Sequence, residues 1–205
     1  MKKVWLIALM GGMLISCTNS QTMKQETEQA SRQEAVLNTI QTRASVRQFT
    51  GEKISNEQIE TLLRCAMCAP TAMNRQPWAF IVITEDSLLQ KMGEAFPYSR
   101  CGNGAACAFV MCGDMSKALE GEGQAFWIND VSAATENLLL AAHAMGLGGV
   151  WTGVYPSSDR TPQVQAMLGL PEDVLPMCIV PIGVPAEQPE IKDKFKAENI
   201  HYNCW

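Results

Sequence analysis

Positive charge and histidine are both scarce in this chain. Lys and Arg total 16 against 21 Asp and Glu, a net charge of -5. No strongly basic face is implied, which argues against duplex DNA or RNA as a partner, because phosphate neutralisation dominates that kind of binding. A few local arginines can still hold one phosphate inside an acidic protein. The 2 histidines, His143 and His201, form no convincing catalytic triad. Long apolar runs are missing too. The one candidate, Val4 to Ile15, is shorter than the ~20 residues that cross a bilayer as a helix. At 47% hydrophobic and 18% charged, the 205 residues are too apolar for a disordered chain and suffice for one domain with a small appendage.

Lys2 and Lys3 before that apolar run suit a signal peptide. The run ends in Leu14-Ile15-Ser16-Cys17, which resembles a bacterial lipobox, where cleavage precedes a cysteine that then carries lipid. Residues 1–16 are therefore expected to be a lipoprotein signal and Cys17 the lipidation site. The protein is then placed at the cell envelope, on the periplasmic or surface side, held to the membrane through the lipid alone. Residues 17–30, rich in Gln, Thr and Glu, suit a polar tether. Residues 31–205 form the folded domain.

Within that domain, Ser31 with Glu34 and Ser55 with Gln58 have capping-box spacing and predict two opening helices. The first carries Val36, Leu37 and Ile40 as its apolar face, and Pro70 forces the second to stop near Ala69. Strands are expected at Trp78–Thr84, Ala108–Cys112, Val150–Val154 and Met177–Val184, from their β-branched and aromatic runs. Helices are expected from Asp86, over Trp127–Met145 with Gly146 as the stop, and from Thr161-Pro162. The order is that of a mixed α/β domain with helices covering a sheet.

Two segments carry candidate chemistry. If Arg43-Ala44-Ser45-Val46-Arg47 is extended, Arg43, Ser45 and Arg47 share a face, offering two guanidinium forks and a hydroxyl to an anion. Between Pro70 and Pro77 an ordered connection holds Thr71, Asn74 and Gln76, and an Asn amide presents a donor and an acceptor side by side to a ring imide edge.

Arg-x-Ser-x-Arg, followed after a capped helix by Ala69-Pro70-Thr71-Ala72-x-Asn74-x-Gln76-Pro77-Trp78, resembles the nitroreductase family of flavin enzymes. Asn137 to Ala142, Gly146 to Trp151, Ile182 to Glu187 and the ending Ile200-His201-Tyr202-Asn203-x-Trp205 are similar to that family's later segments. The resemblance implies a three-layer helix–sheet–helix fold with a predominantly antiparallel sheet. It also implies an intertwined homodimer with FMN at the interface. Arg43, Ser45 and Arg47 are then expected on the phosphate, ribityl chain and pyrimidine side. Pro70, Thr71, Ala72 and Asn74 are expected from the other subunit, with Gln76 as a neighbour. Trp151, Thr152 and Gly153 are expected along the ring. Lys194 stands where the family usually has a basic residue on the phosphate, here a point charge rather than a fork. The implied reaction is ping-pong transfer from NAD(P)H to nitroaromatic, quinone or related acceptors, with the flavin rather than a protein nucleophile carrying the chemistry.

The 8 cysteines open a second reading, a lipid-anchored protein that binds metal through thiols without catalysis. Cys65-x-x-Cys68 followed by Cys101, Cys107 and Cys112 suggests it, but the zinc spacing lacks a second close pair. Gly102-x-Gly104 and Gly146-x-Gly148 lack dinucleotide-fold spacing and context.

Overall fold

The computed structural model describes residues 28–205. The predicted signal, Cys17 and most of the tether lie outside the described residues. The chain divides into two units, Met1–Thr42 and Arg43–Trp205. In the first, residues 28–42 are one helix, α1. It starts ahead of Ser31, so the last residues of the predicted tether are helical and Ser31 lies inside the helix. Val36, Leu37 and Ile40 are 58%, 46% and 54% exposed.

The second unit is built on five strands, β1 (Trp78–Ile83), β2 (Cys107–Asp114), β3 (Gly148–Gly149), β4 (Thr152–Gly153) and β5 (Val174–Gly183). Their order is β1-β2-β5-β3, with β4 also on β5, and every pairing is antiparallel. Of the strand expected at Val150–Val154 only β4 forms, and β3 lies just ahead of it. They share one register on β5 and are interrupted at Val150 and Trp151.

Helices α2 (Asn56–Met67), α3 (Asp86–Ala95), α4 (Phe126–Ala144) and α5 (Arg160–Leu168) cover both faces. The period of two along β2 explains the layering. Cys107, Phe109 and Met111 face a core completed by Leu62 and Ala66 of α2 and Val131, Ala134 and Leu138 of α4. Ala108, Val110 and Cys112 face the opposite core, with Leu89 and Met92 of α3 and Val164 of α5. The expected helix–sheet–helix architecture is present.

The local signals hold where they depend on near neighbours. Gln58 N–H donates to Ser55 Oγ at 3.2 Å and Ser55 N–H to Gln58 Oε1 at 2.9 Å, the expected capping box. Helix α4 ends where Gly146 takes φ +74°, and Leu147 N–H closes back on the Ala142 carbonyl at 2.8 Å. Helix α5 departs from expectation. It starts at Arg160 with Asp159 as its cap residue. The Thr161 hydroxyl is buried without a hydrogen-bond partner.

Candidate active site

The chain entering the second unit forms neither helix nor turn over residues 43–48, and its exposure alternates across Ser45, Val46 and Arg47. Val46 is 6% exposed, and its N–H donates to the Gly149 carbonyl at 3.0 Å. Ser45 and Arg47 are exposed on the other side and Arg43 is half-buried. Beyond them Phe49 bridges Pro185, and Ala186 N–H donates to the Gln48 carbonyl at 3.1 Å. The exposed C-terminal arm bearing Lys194 therefore departs beside the arginine segment.

Two contacts on this segment, and one beside Gly153, come from residues that sequence patterns did not single out. Arg43 Nε pairs with Glu136 Oε1 of α4 at 3.1 Å, which orients Arg43 and leaves its terminal N–H groups as donors. The Asn103 amide donates to the Arg47 carbonyl at 2.9 Å. Arg160 donates to the Gly153 carbonyl at 2.9 Å while its guanidinium sits 5.1 Å over the Tyr98 ring. Burial raises the Tyr98 phenol above its ordinary value, against the pull of the Arg160 charge.

The connection from Pro70 to Pro77 is a tight turn with Met73, Asn74 and Gln76 at φ 51°, 55° and 51°. Thr71 anchors it from within. Its carbonyl accepts from Asn74 N–H at 3.1 Å, and its hydroxyl accepts from Gln76 N–H at 3.1 Å. The Gln76 amide donates to Asn74 Oδ1 at 3.0 Å, so Gln76 holds the Asn74 amide in place. Ala72 N–H donates to Asp130 of α4 at 2.8 Å, and Asp130 is 6% exposed.

Trp151 is 36% exposed. Thr152 is buried, its hydroxyl donating to the Ile179 carbonyl at 2.5 Å, so its side chain points into the protein. A Cβ placed on Gly153 meets nothing within 4 Å. The missing side chain leaves open space there.

Within one chain the two segments are held apart. The Arg43–Arg47 stretch lies along β3, and the Pro70–Pro77 turn leads into β1 at the other edge, with β2 and β5 between. At about 4.8 Å per strand, that separates the two edge strands by roughly 14 Å. Their anchors on α4, Asp130 and Glu136, are six residues apart. At about 3.6 residues per turn they point roughly 120° apart around the axis. Among the described residues no group of three or more His, Cys, Asp or Glu is placed to hold a metal ion, so the cysteine-rich metal reading gains no support from the geometry.

The nitroreductase family profile matches residues 40–98 and 96–184. A Methanothermobacter thermautotrophicus protein provisionally named NADH dehydrogenase/NAD(P)H nitroreductase is 40% identical over 171 residues, covering 83% of this chain and 87% of that relative. A Parabacteroides distasonis crystal structure with the same provisional name aligns with TM-score 0.77 at 40% identity, covering 83% of this chain and 98% of that one. The NADPH:FMN oxidoreductase of Vibrio harveyi, solved with NAD+, aligns with TM-score 0.74 at 27% identity, covering 83% and 78%. The chain belongs to the nitroreductase family.

Proposed function

We propose that this protein is a dimeric FMN-dependent oxidoreductase. It would move an electron pair from NAD(P)H, or another donor, to a nitroaromatic, quinone or related acceptor. The observation that carries this is the Arg43–Arg47 stretch, held to β3 by the Val46–Gly149 hydrogen bond with Ser45 and Arg47 exposed on either side of buried Val46. The open side of Gly153 and the relatives' names, which include NAD(P)H and FMN, support it.

The residues fit the cofactor. The terminal donors of Arg43, the Ser45 hydroxyl and the Arg47 fork match a phosphate and a ribityl chain. Lys194 on the arm adds a point charge. A guanidinium beside the pyrimidine side of the ring would offset negative charge there. Gly153 leaves room for a flat ring beside Trp151. Bound FMN would supply a ring that accepts hydride from a reduced donor and returns the electron pair to an acceptor, with both substrates using it in turn.

Pro70, Thr71, Ala72, Asn74 and Gln76 would reach this site from a second copy, since their own chain carries them at the opposite sheet edge. Exposed apolar side chains favour a second copy as well: Val36 and Ile40 of α1, and Phe195 and Trp205 of the arm at 74% and 99%.

Arg43→Ala and Arg47→Ala are each expected to weaken FMN retention by about 1.5–3 kcal/mol, roughly 10- to 150-fold. A chain with both changes, mixed with an Asn74→Ala chain, is expected to regain activity in mixed dimers, where one of the two sites is then intact. FMN affinity unchanged in both arginine variants sinks the phosphate assignment. Mixed dimers that stay inactive sink the shared site.

The lipobox-like ending at Cys17 supports anchoring at the cell envelope, where reduced nicotinamides are scarce and another donor has a place. Cys17→Ser is expected to release the protein from membranes. Continued membrane partitioning of that variant would overturn the anchor.

A further inference from the structure

One cysteine pair is used neither by the core nor by the candidate flavin site. Cys101, Cys107, Cys112 and Cys178 are buried. Burial pushes the thiols up, to about 11 at Cys101 and about 12 at Cys107 and Cys112. At neutral pH they stay protonated and pack as small apolar groups. Cys65 and Cys68 differ, being half-buried and exposed respectively.

These two close the last turn of α2, where Cys68 N–H donates to the Cys65 carbonyl at 3.2 Å. That carbonyl also accepts from the Asn137 amide of α4 at 3.2 Å, which fixes the turn to the body of the unit. Helical rise and radius set Cα atoms three positions apart at about 5 Å. A disulfide spans Cα separations of about 4.4–6.8 Å. Positions three apart are also neighbours on one side of a helix. The backbone is therefore already spaced for a bridge.

We propose that Cys65 and Cys68 are a redox-active dithiol that closes to a disulfide by exchange with a small-molecule disulfide. Cys68, the exposed sulfur, attacks as thiolate. The bond within the incoming disulfide breaks, a mixed disulfide forms on Cys68, and the first thiol leaves. Cys65 thiolate then displaces the second thiol and forms the Cys65–Cys68 bond. Two protein thiols lose two electrons and two protons, and the incoming disulfide gains both as two thiols. Excess thiol reverses the sequence. The pair ends just before Pro70, at the root of the turn that carries Asn74, but the exchange itself does not depend on the flavin assignment.

Trypsin cuts after Arg64 and Arg75, releasing both cysteines in one peptide that contains no other. After the full-length protein is incubated with oxidised glutathione and its remaining thiols are alkylated, that peptide is expected to be unalkylated and lighter by two hydrogens. Cys65→Ser is expected to trap a glutathione adduct on Cys68 at about tenfold the level in the unaltered protein. Cys68→Ser is expected to trap far less on Cys65. Circular dichroism of each variant separates lost chemistry from lost folding. A lasting Cys68 adduct in the unaltered protein, a Cys68–Cys204 crosslink, or a peptide alkylated at both cysteines would overturn the proposal.

Discussion

Gly148→Ala is expected to lower stability by about 1–3 kcal/mol and to release most of the bound FMN. A Cβ at this position would lie 2.5, 2.6 and 2.9 Å from the Cγ2, Cβ and Cγ1 atoms of Val46. Val46 is β-branched and stiff at χ1, so no flexible end can swing aside. Relief must come from the backbone of the Arg43–Arg47 stretch, which the Val46–Gly149 hydrogen bond holds to β3. Displacing that backbone moves both guanidinium groups at once. Gly153→Ala is the control for stability alone, since its Cβ meets nothing in the chain but would enter the space proposed for the ring. Its stability is expected to stay within about 0.5 kcal/mol of the parent. Urea unfolding and flavin titration read the two effects separately, and a Gly148→Ala protein with parental FMN affinity would refute the clamp.

Asp130→Ala is expected to cost about 1.5–3 kcal/mol and to loosen the Pro70–Pro77 turn. The buried carboxylate of Asp130 is the described acceptor for Ala72 N–H, at 2.8 Å. Next to that bond the turn holds three side-chain-bearing residues in the left-handed region. Such residues cost about 1–3 kcal/mol each and persist where surrounding bonds over-determine them. The remaining bonds, from Thr71 and between Gln76 and Asn74, lie within the turn and cannot tie it to α4. Asp130→Asn keeps an oxygen acceptor, so its loss is expected to be smaller. Thermal melts of both variants, with hydrogen exchange at Ala72, provide the measurement. An alanine variant as stable as the parent would show the turn to be self-supporting.

Both predictions turn on contacts of a kind the sequence conceals. Ser55 with Gln58 and Gly146 were legible because a cap is settled by residues a few positions apart. The exposure of Ser45 and Arg47 around buried Val46 was legible because extended chain alternates. Asp130 and Asn103 act on partners 58 and 56 residues away, where local spacing carries no signal. Glu136 is hidden in the same way, reading as one more polar position on a long helix. Alternation in the short strand β4 turns the Thr152 hydroxyl inward to Ile179 and leaves Gly153 facing out, a division that the sequence pattern did not mark. The apolar face of α1 was legible as a stripe, yet Val36, Leu37 and Ile40 are exposed, since such a stripe does not name the surface that covers it.

Helix α4 carries Glu136 toward one candidate segment and Asp130 toward the other. In the proposed dimer the same stiff rod would brace two different cavities, one lined by its own arginines and one completed by its turn. A tilt induced by loading either cavity would be transmitted to its twin. Half-filled enzyme would then have a vacant cavity distinct from those of the empty protein.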